Sequence, residues 1–273
     1  MSETTAVAKE ETVGQSLSHD VAIVTGAGRG IGRAIALSLA AEGAAISVFA
    51  RTKEEIAATA ALISDAGGRA VALQLDVRDA AAVRAAVSET ANTLGQVTLL
   101  VNNAGTPGPA GLDWEVNLEA WFECIEVVVR GAFLLAQAVA PDMIARGSGR
   151  IINIASISGT RTFPRITATS VAKTALIRFS EGLAAQLDGH GVRVFAVHPG
   201  IVRTRLLASY GLQIPEERFV GPERAGSLCA RLASGRYDVL SGRFLGIDDD
   251  LEELLGRIEE ITARELYTLR LNA

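Results

Sequence analysis

The sequence predicts an α/β fold: a doubly wound parallel sheet in three layers, forming a single domain. Three observations predict it. Short apolar runs alternate with amphipathic helical stretches along most of the 273 residues. The runs are continuously apolar rather than alternating, as strands covered on both faces require. Alternation of strand and helix at this pitch calls for right-handed crossovers, which set the strands parallel.

The elements follow in order. Residues 1–19 are polar with little periodicity and read as a flexible N-terminal tail. Residues 21–25 (VAIVT) form a first strand. Residues 29–42 carry Ile31, Ala34, Ile35 and Leu39 at helical spacing. Strand 45–50 and helix 53–66 follow, then strand 70–75, helix 78–94 and strand 98–102. A long helix over 117–145 precedes strand 150–155, and helix 167–188 precedes strand 192–198. Residues 200–220 show no clear element and are expected to form a flap over a ligand. The apolar segment 239–247 closes the domain, which spans residues 20–247. Residues 248–273 extend it with a charged helix (248–264) and an apolar end, for which packing or a subunit contact is the expectation.

Composition narrows the function classes. At 49% hydrophobic and 21% charged residues, the chain has material for one large core. A net charge of −5 without a basic stripe argues against a nucleic-acid binder. Every 18-residue apolar window carries charge, so a soluble, cytoplasmic protein without membrane association is expected. Cys124 and Cys229 fall on apolar helix faces and read as buried free thiols. No metal ion is expected.

The chemistry sits at strand ends. The first strand runs into Thr25-Gly-Ala-Gly-Arg-Gly-Ile-Gly32 and then a helix. Glycines suit such a turn because backbone N–H groups must approach phosphate oxygens, and the helix N-terminus adds a favourable dipole. Ile31 occupies the place of the last glycine in GxGxxG, so the turn fits TGxxxGxG instead, with Gly26, Gly30 and Gly32 as its fixed points.

That spacing resembles the short-chain dehydrogenase/reductase family, and the resemblance covers nearly all of residues 20–246. It implies a Rossmann-type fold, nucleotide binding and oxidoreductase chemistry on a small carbonyl or alcohol substrate. Asp76 and Val77 follow the third strand, where the family contacts adenine. Asn102-Asn103-Ala104-Gly105 closes the fourth strand as the family's NNAG segment does. Pro199-Gly200 follows the sixth strand, with Thr204 placed like the family's contact to the nicotinamide carboxamide and Val202 a further expected cofactor-binding residue. The helices at 117–145 and 167–188 are those the family uses to form dimers and tetramers, so a homodimer or homotetramer is expected.

Cofactor choice has a physical basis. An NAD enzyme places an acid at the end of the second strand to accept bonds from the ribose hydroxyls. Here that position is Ala50, followed by Arg51 and Thr52, with Arg29 in the glycine turn. Two guanidinium groups suit a 2′-phosphate, so NADP(H) is the expected cofactor.

The resemblance also implies four catalytic positions, and two depart from the family pattern. Ser156 stands where the family's serine polarises a carbonyl, and Lys173 where its lysine binds the nicotinamide ribose. The tyrosine position holds Thr169, and the asparagine position on the long helix holds Val128. A phenol titrates near ~10 and an aliphatic hydroxyl several units higher, closer to bulk water. That gap is worth about 7–8 kcal/mol, more than one lysine recovers. Thr169 would also leave its oxygen roughly 4 Å short of the same carbonyl. Of the three tyrosines, only Tyr210 lies in the expected flap, where it is either a replacement acid or a packing aromatic. His198 reads as structural, and Arg161 and Arg165 as solvated loop residues. Three functions remain open: a reductase with an altered proton source, a repurposed non-redox enzyme (isomerase, cyclase, lyase or dehydratase), and an inactive NADP-binding subunit.

Overall fold

The computed structural model describes residues 17–271; the tail's residues 1–16 lie outside them. Leu17, which the sequence places in that tail, is buried in the core, and its N–H donates to Glu42 O.

Seven strands form one sheet: β1 (Val21–Thr25), β2 (Ala45–Ala50), β3 (Ala70–Gln74), β4 (Leu99–Asn102), β5 (Gly149–Ile154), β6 (Val192–His198) and β9 (Phe244–Gly246). Their order is β3-β2-β1-β4-β5-β6-β9, with every pairing parallel. The order reverses between β1 and β4, which opens a crevice beyond their carboxyl ends. Two further strands, β7 (Ile201–Val202) and β8 (Phe219–Val220), pair with each other outside this sheet.

Helices cover both faces. They are α1 (Gly30–Ala41), α2 (Lys53–Asp65), α3 (Ala80–Leu94), α4 (Leu118–Ile125), α5 (Gly131–Arg146), α6 (Thr167–Gln186), α7 (Arg205–Ala208), α8 (Glu223–Ala233), α9 (Leu251–Gly256) and α10 (Ile258–Ala263). Successive strand residues point to opposite faces. On one face Ala22, Val24, Ile46 and Val48 pack with Ile35 and Leu39 of α1 and with Leu228 and Leu232 of α8. On the other, Ile23, Phe49, Leu100 and Ile151 pack with Val83 of α3 and with Leu135 and Val139 of α5. Side-chain caps fix helix starts: Asp79 accepts from the N–H groups of Ala81 and Ala82, and Asn117 from that of Ala120.

Several regions differ from expectation. The stretch over 117–145 is not one regular helix, because a five-residue π turn, Glu126–Arg130, joins α4 to α5. Residues 118–146 are apolar and long enough to cross a membrane, yet Leu135, Val139 and Met143 pack into the core. The flap carries β7, α7 and β8, although its sequence shows no clear element. Helix α8 falls where the sequence reading places no element, even though Ala225, Leu228, Cys229 and Leu232 repeat at helical spacing and are buried. The charged C-terminal helix breaks at Arg257 into α9 and α10. Beyond it the chain returns to the sheet's edge, where Phe244 N–H donates to Tyr267 O and Leu269 N–H to Glu181 Oε1. The edge strand β9 is thereby covered.

A buried polar chain holds the strands and α6 that carry the candidate site. Asn102 Nδ2 donates to Asn153 Oδ1 (2.9 Å), Asn153 Nδ2 to Ser180 Oγ (2.8 Å), and Ser180 Oγ to Leu176 O (2.7 Å). Removing its centre leaves the buried Asn102 amide without its acceptor and takes a donor from Ser180 Oγ, which keeps its bond to Leu176 O; each such loss is worth about 1–3 kcal/mol. Asn153→Leu is therefore expected to lower the unfolding free energy by about 2–5 kcal/mol, read from urea denaturation. An unchanged denaturation midpoint would contradict this role.

Candidate active site

The glycine turn lies directly at the crevice. Gly26 has a φ of +62°, and a Cβ on Gly32 would fall 2.4 Å from both Gly26 O and Asn103 Nδ2, so neither position admits a side chain without displacement. Thr25 ties the turn to β4: its Oγ1 accepts from the N–H groups of Asn103 and Ala104, each at 2.9 Å. Asn103 Nδ2 returns a bond to Thr25 O. Arg29 begins α1 without a side-chain cap, and the first turn holds no acid. The uncapped N–H groups of α1 are thus directed at the crevice, an arrangement that accepts a phosphate.

A second cluster forms where β5 meets α6. Ser156 is extended and lies two residues beyond β5, and its Oγ accepts from Ser158 N–H at 3.2 Å. Lys173, on the second turn of α6, donates from Nζ to Ile154 O at 2.6 Å, which brings the ammonium to the strand end carrying Ser156. Burial pulls Lys173 down to about 8. One turn earlier, Thr169 is buried against Cys124, whose Sγ lies 3.8 Å from Thr169 Oγ1. Val128 sits within the π turn, buried against Ala168 and Ala172 of α6.

The flap completes the arrangement. Its Thr204 caps α7 by accepting from Leu207 N–H, and lies against Gly30. Leu206 lies over Gly105. The Tyr210 hydroxyl shares a 2.6 Å hydrogen bond with Thr169 Oγ1. Burial pushes the Tyr210 phenol up, and the Thr169 bond opposes that shift.

A profile of the family described as short chain dehydrogenase matches residues 20–214. The chain belongs to the short-chain dehydrogenase/reductase family. A short chain dehydrogenase of Pseudocercospora fijiensis is 35% identical over 93% of this chain and 88% of its own length. A 3-oxoacyl-[acyl-carrier-protein] reductase of Synechocystis is 36% identical over 80% of this chain and 91% of that protein. Among solved structures, a variant actinorhodin polyketide ketoreductase with NADPH superposes at a TM-score of 0.78 with 32% identity, covering 83% of this chain and 95% of that one. An NAD+-bound xylitol dehydrogenase superposes at 0.79 with 28% identity, covering 85% and 98%. These relatives establish an oxidoreductase family that binds NAD(P)(H).

On this short-chain dehydrogenase/reductase scaffold, the residues singled out from sequence gather at one edge of the sheet. Arg51 and Thr52 follow β2, and Asp76 and Val77 follow β3. Pro199, Gly200, Val202 and Thr204 lead from β6 into the flap. Two partners were not legible in the sequence. Arg29 is engaged by Glu55 at 2.8 Å, and Arg205 of the flap reaches the same carboxylate at 3.2 Å. Asp76 is clasped by Arg78, whose hydrogen bond holds its carboxyl below the usual range. Arg161 and Arg165 are exposed, and His198 stacks on Phe244. Cys124 beside Thr169 had no signal beyond its helix face.

The lowered Lys173 makes stability depend on pH in a defined direction. Between about 8 and the ordinary lysine value of 10.5, the unfolded chain binds a proton that the folded one has released. Stability from this group is therefore lowest below pH 8 and rises through that window. Lys173→Met is expected to abolish this gradient. Relative to the variant, wild type should gain about 1–3 kcal/mol between neutral pH and pH 10.5 in urea denaturation. A pH-independent difference would contradict it.

Proposed function

We propose that this chain is an NADP(H)-dependent carbonyl reductase acting on a small carbonyl or alcohol substrate, with the family's usual tyrosine and asparagine proton relay absent. The observation that carries the reading is the convergence of Ser156 and Lys173 at the end of β5, on the same sheet edge as the uncapped glycine turn. Bound NADPH would supply the hydride. The residues have separable tasks. Gly26, Gly30, Ile31 and Gly32 present the turn and N-terminus of α1 to the phosphates. Asn103, Ala104 and Gly105 wall the crevice. Ser156 polarises the carbonyl oxygen, and Lys173 holds the nicotinamide ribose.

The 2′-phosphate assignment rests on Arg51. It is exposed, follows β2 where an NAD enzyme carries an acid, and lies 3.9 Å from Glu123. Arg29 contributes only by exchanging Glu55 for phosphate. The ketoreductase solved with NADPH supports this choice. Thr169 and Val128 make the pocket beside the nicotinamide more apolar than the family pattern, which keeps a repurposed non-redox enzyme as the second reading.

Exposed Phe122 of α4, Phe133 of α5 and Val171 of α6 support self-association of these helices. Light scattering is expected to give a homodimer or homotetramer, and a monomer at micromolar concentration would contradict this.

Cofactor fluorescence titration is expected to show NADPH bound more tightly than NADH. Arg51→Ala should weaken NADPH by about 10–100-fold and leave NADH unchanged. Equal affinity for the two cofactors would sink the NADP(H) assignment. In turnover, one NADPH consumed per carbonyl reduced supports the reductase. Product formed with no change in NADPH supports the second reading instead.

A further inference from the structure

Tyr210 is the one buried side chain between residues 203 and 218, in a flap whose other side chains all reach solvent. It is 8% exposed, and its hydroxyl meets Thr169 Oγ1 at 2.6 Å. A threonine hydroxyl lies about 2.4 Å from its own Cα, so the phenol oxygen comes within roughly 5 Å of the Thr169 Cα. A tyrosine at position 169 would carry its own oxygen roughly 6.5 Å from that Cα. The flap therefore brings a phenol oxygen to the side chain of residue 169, on the helix turn before Lys173.

The contact is built rather than incidental. Cys124, Gly108 and Ala168 close around it: a Cβ on Gly108 would fall 2.5 Å from Ala168 Cβ and 3.5 Å from Thr169 Oγ1. The flap is held from three sides. Arg205 pairs with Glu55 beside the glycine turn, Leu206 covers Gly105, and β7 pairs with β8. Two of these anchors lie on the candidate cofactor's own walls, so a bound nucleotide and a docked Tyr210 belong to the same closed arrangement.

We propose that Tyr210 is the proton donor of the reaction, supplied from the flap and positioned by Thr169. This inference rests on the carbonyl-reductase reading above. In the step, hydride from NADPH forms a C–H bond at the carbonyl carbon and leaves NADP+. The π electrons of the carbonyl move to its oxygen, which takes the Tyr210 proton, and the phenolate is reprotonated from water. Thr169 is a positioning residue, because its hydroxyl orients the phenol. The phenol remains protonated through neutral and mildly alkaline pH, since burial raises it.

The test combines an activity-free readout with turnover. Tyrosine ionisation is followed by phenolate absorbance in the full-length protein, with and without saturating NADP+, in wild type and in Tyr210→Phe. With Tyr210 beside the nicotinamide, the cationic ring should lower the pH at which one tyrosine ionises, and that shift should vanish in Tyr210→Phe. Thr169→Val should raise the same ionisation. In turnover on a ketone panel, Tyr210→Phe should lower kcat by about 100–10,000-fold with NADPH affinity unchanged. Adding Thr169→Tyr to Tyr210→Ala, which removes the flap phenol altogether, should restore part of the kcat that Tyr210→Ala alone loses. No NADP+-dependent shift, or full kcat in folded Tyr210→Phe, overturns the proposal. A shift with no carbonyl reduced by wild type supports the placement of Tyr210 and defeats the reductase reading instead.

Discussion

The crevice between β1 and β4 governs what this molecule can do, and Thr25 holds it in shape. A parallel sheet covered on both faces puts every strand-to-helix turn at one edge, and the reversal of strand order leaves a gap there. One hydroxyl, buried at the end of β1, takes the N–H groups of Asn103 and Ala104 and so fixes the glycine turn against β4. The uncapped start of α1, the end of β4 and the loop after β5 then share one opening. The polar chain Asn102–Asn153–Ser180 extends the same discipline to α6, which brings Lys173 to Ile154. The glycine turn and the Ser156–Lys173 cluster are two ends of one braced edge.

Within that frame four buried side chains form a connected patch. Thr169, Cys124, Val128 and Ala168 are buried together between α4, the π turn and α6. A large phenol at position 169 would need space that the Tyr210 hydroxyl now takes. The flap's other anchor, Arg205 on Glu55, sits beside Arg29 at the glycine turn. Flap position and the electrostatics of the glycine turn are consequently linked through one carboxylate.

Much of this was legible in the chain itself. The seven strands of the sheet are short, continuous apolar runs, and the turns after them announce themselves by glycine and asparagine at fixed spacing. What sequence reading misses depends on contacts between distant residues. Nothing near Tyr210 marks it as the buried residue of an exposed flap, and its partner lies 41 residues away. Arg29 reads as a free guanidinium until Glu55, on the next helix, comes beside it. The π turn around Val128 has no composition signal, since Glu126–Arg130 continues an ordinary amphipathic helical pattern. Helix α8 is a different matter: Ala225, Leu228, Cys229 and Leu232 carry its period openly. Leu17 shows that one apolar residue in a polar stretch is enough to seat it on the core.

The proposed mechanism requires the flap tyrosine and the strand-end serine to face the same reacting atoms. A crystal structure of the NADPH complex tests this most directly. Tyr210 is expected still bonded to Thr169, with its hydroxyl and Ser156 Oγ both within about 3–4 Å of one carbonyl-sized site beside the nicotinamide C4. A flap withdrawn from Thr169, with Tyr210 in solvent and water filling its place, would contradict it.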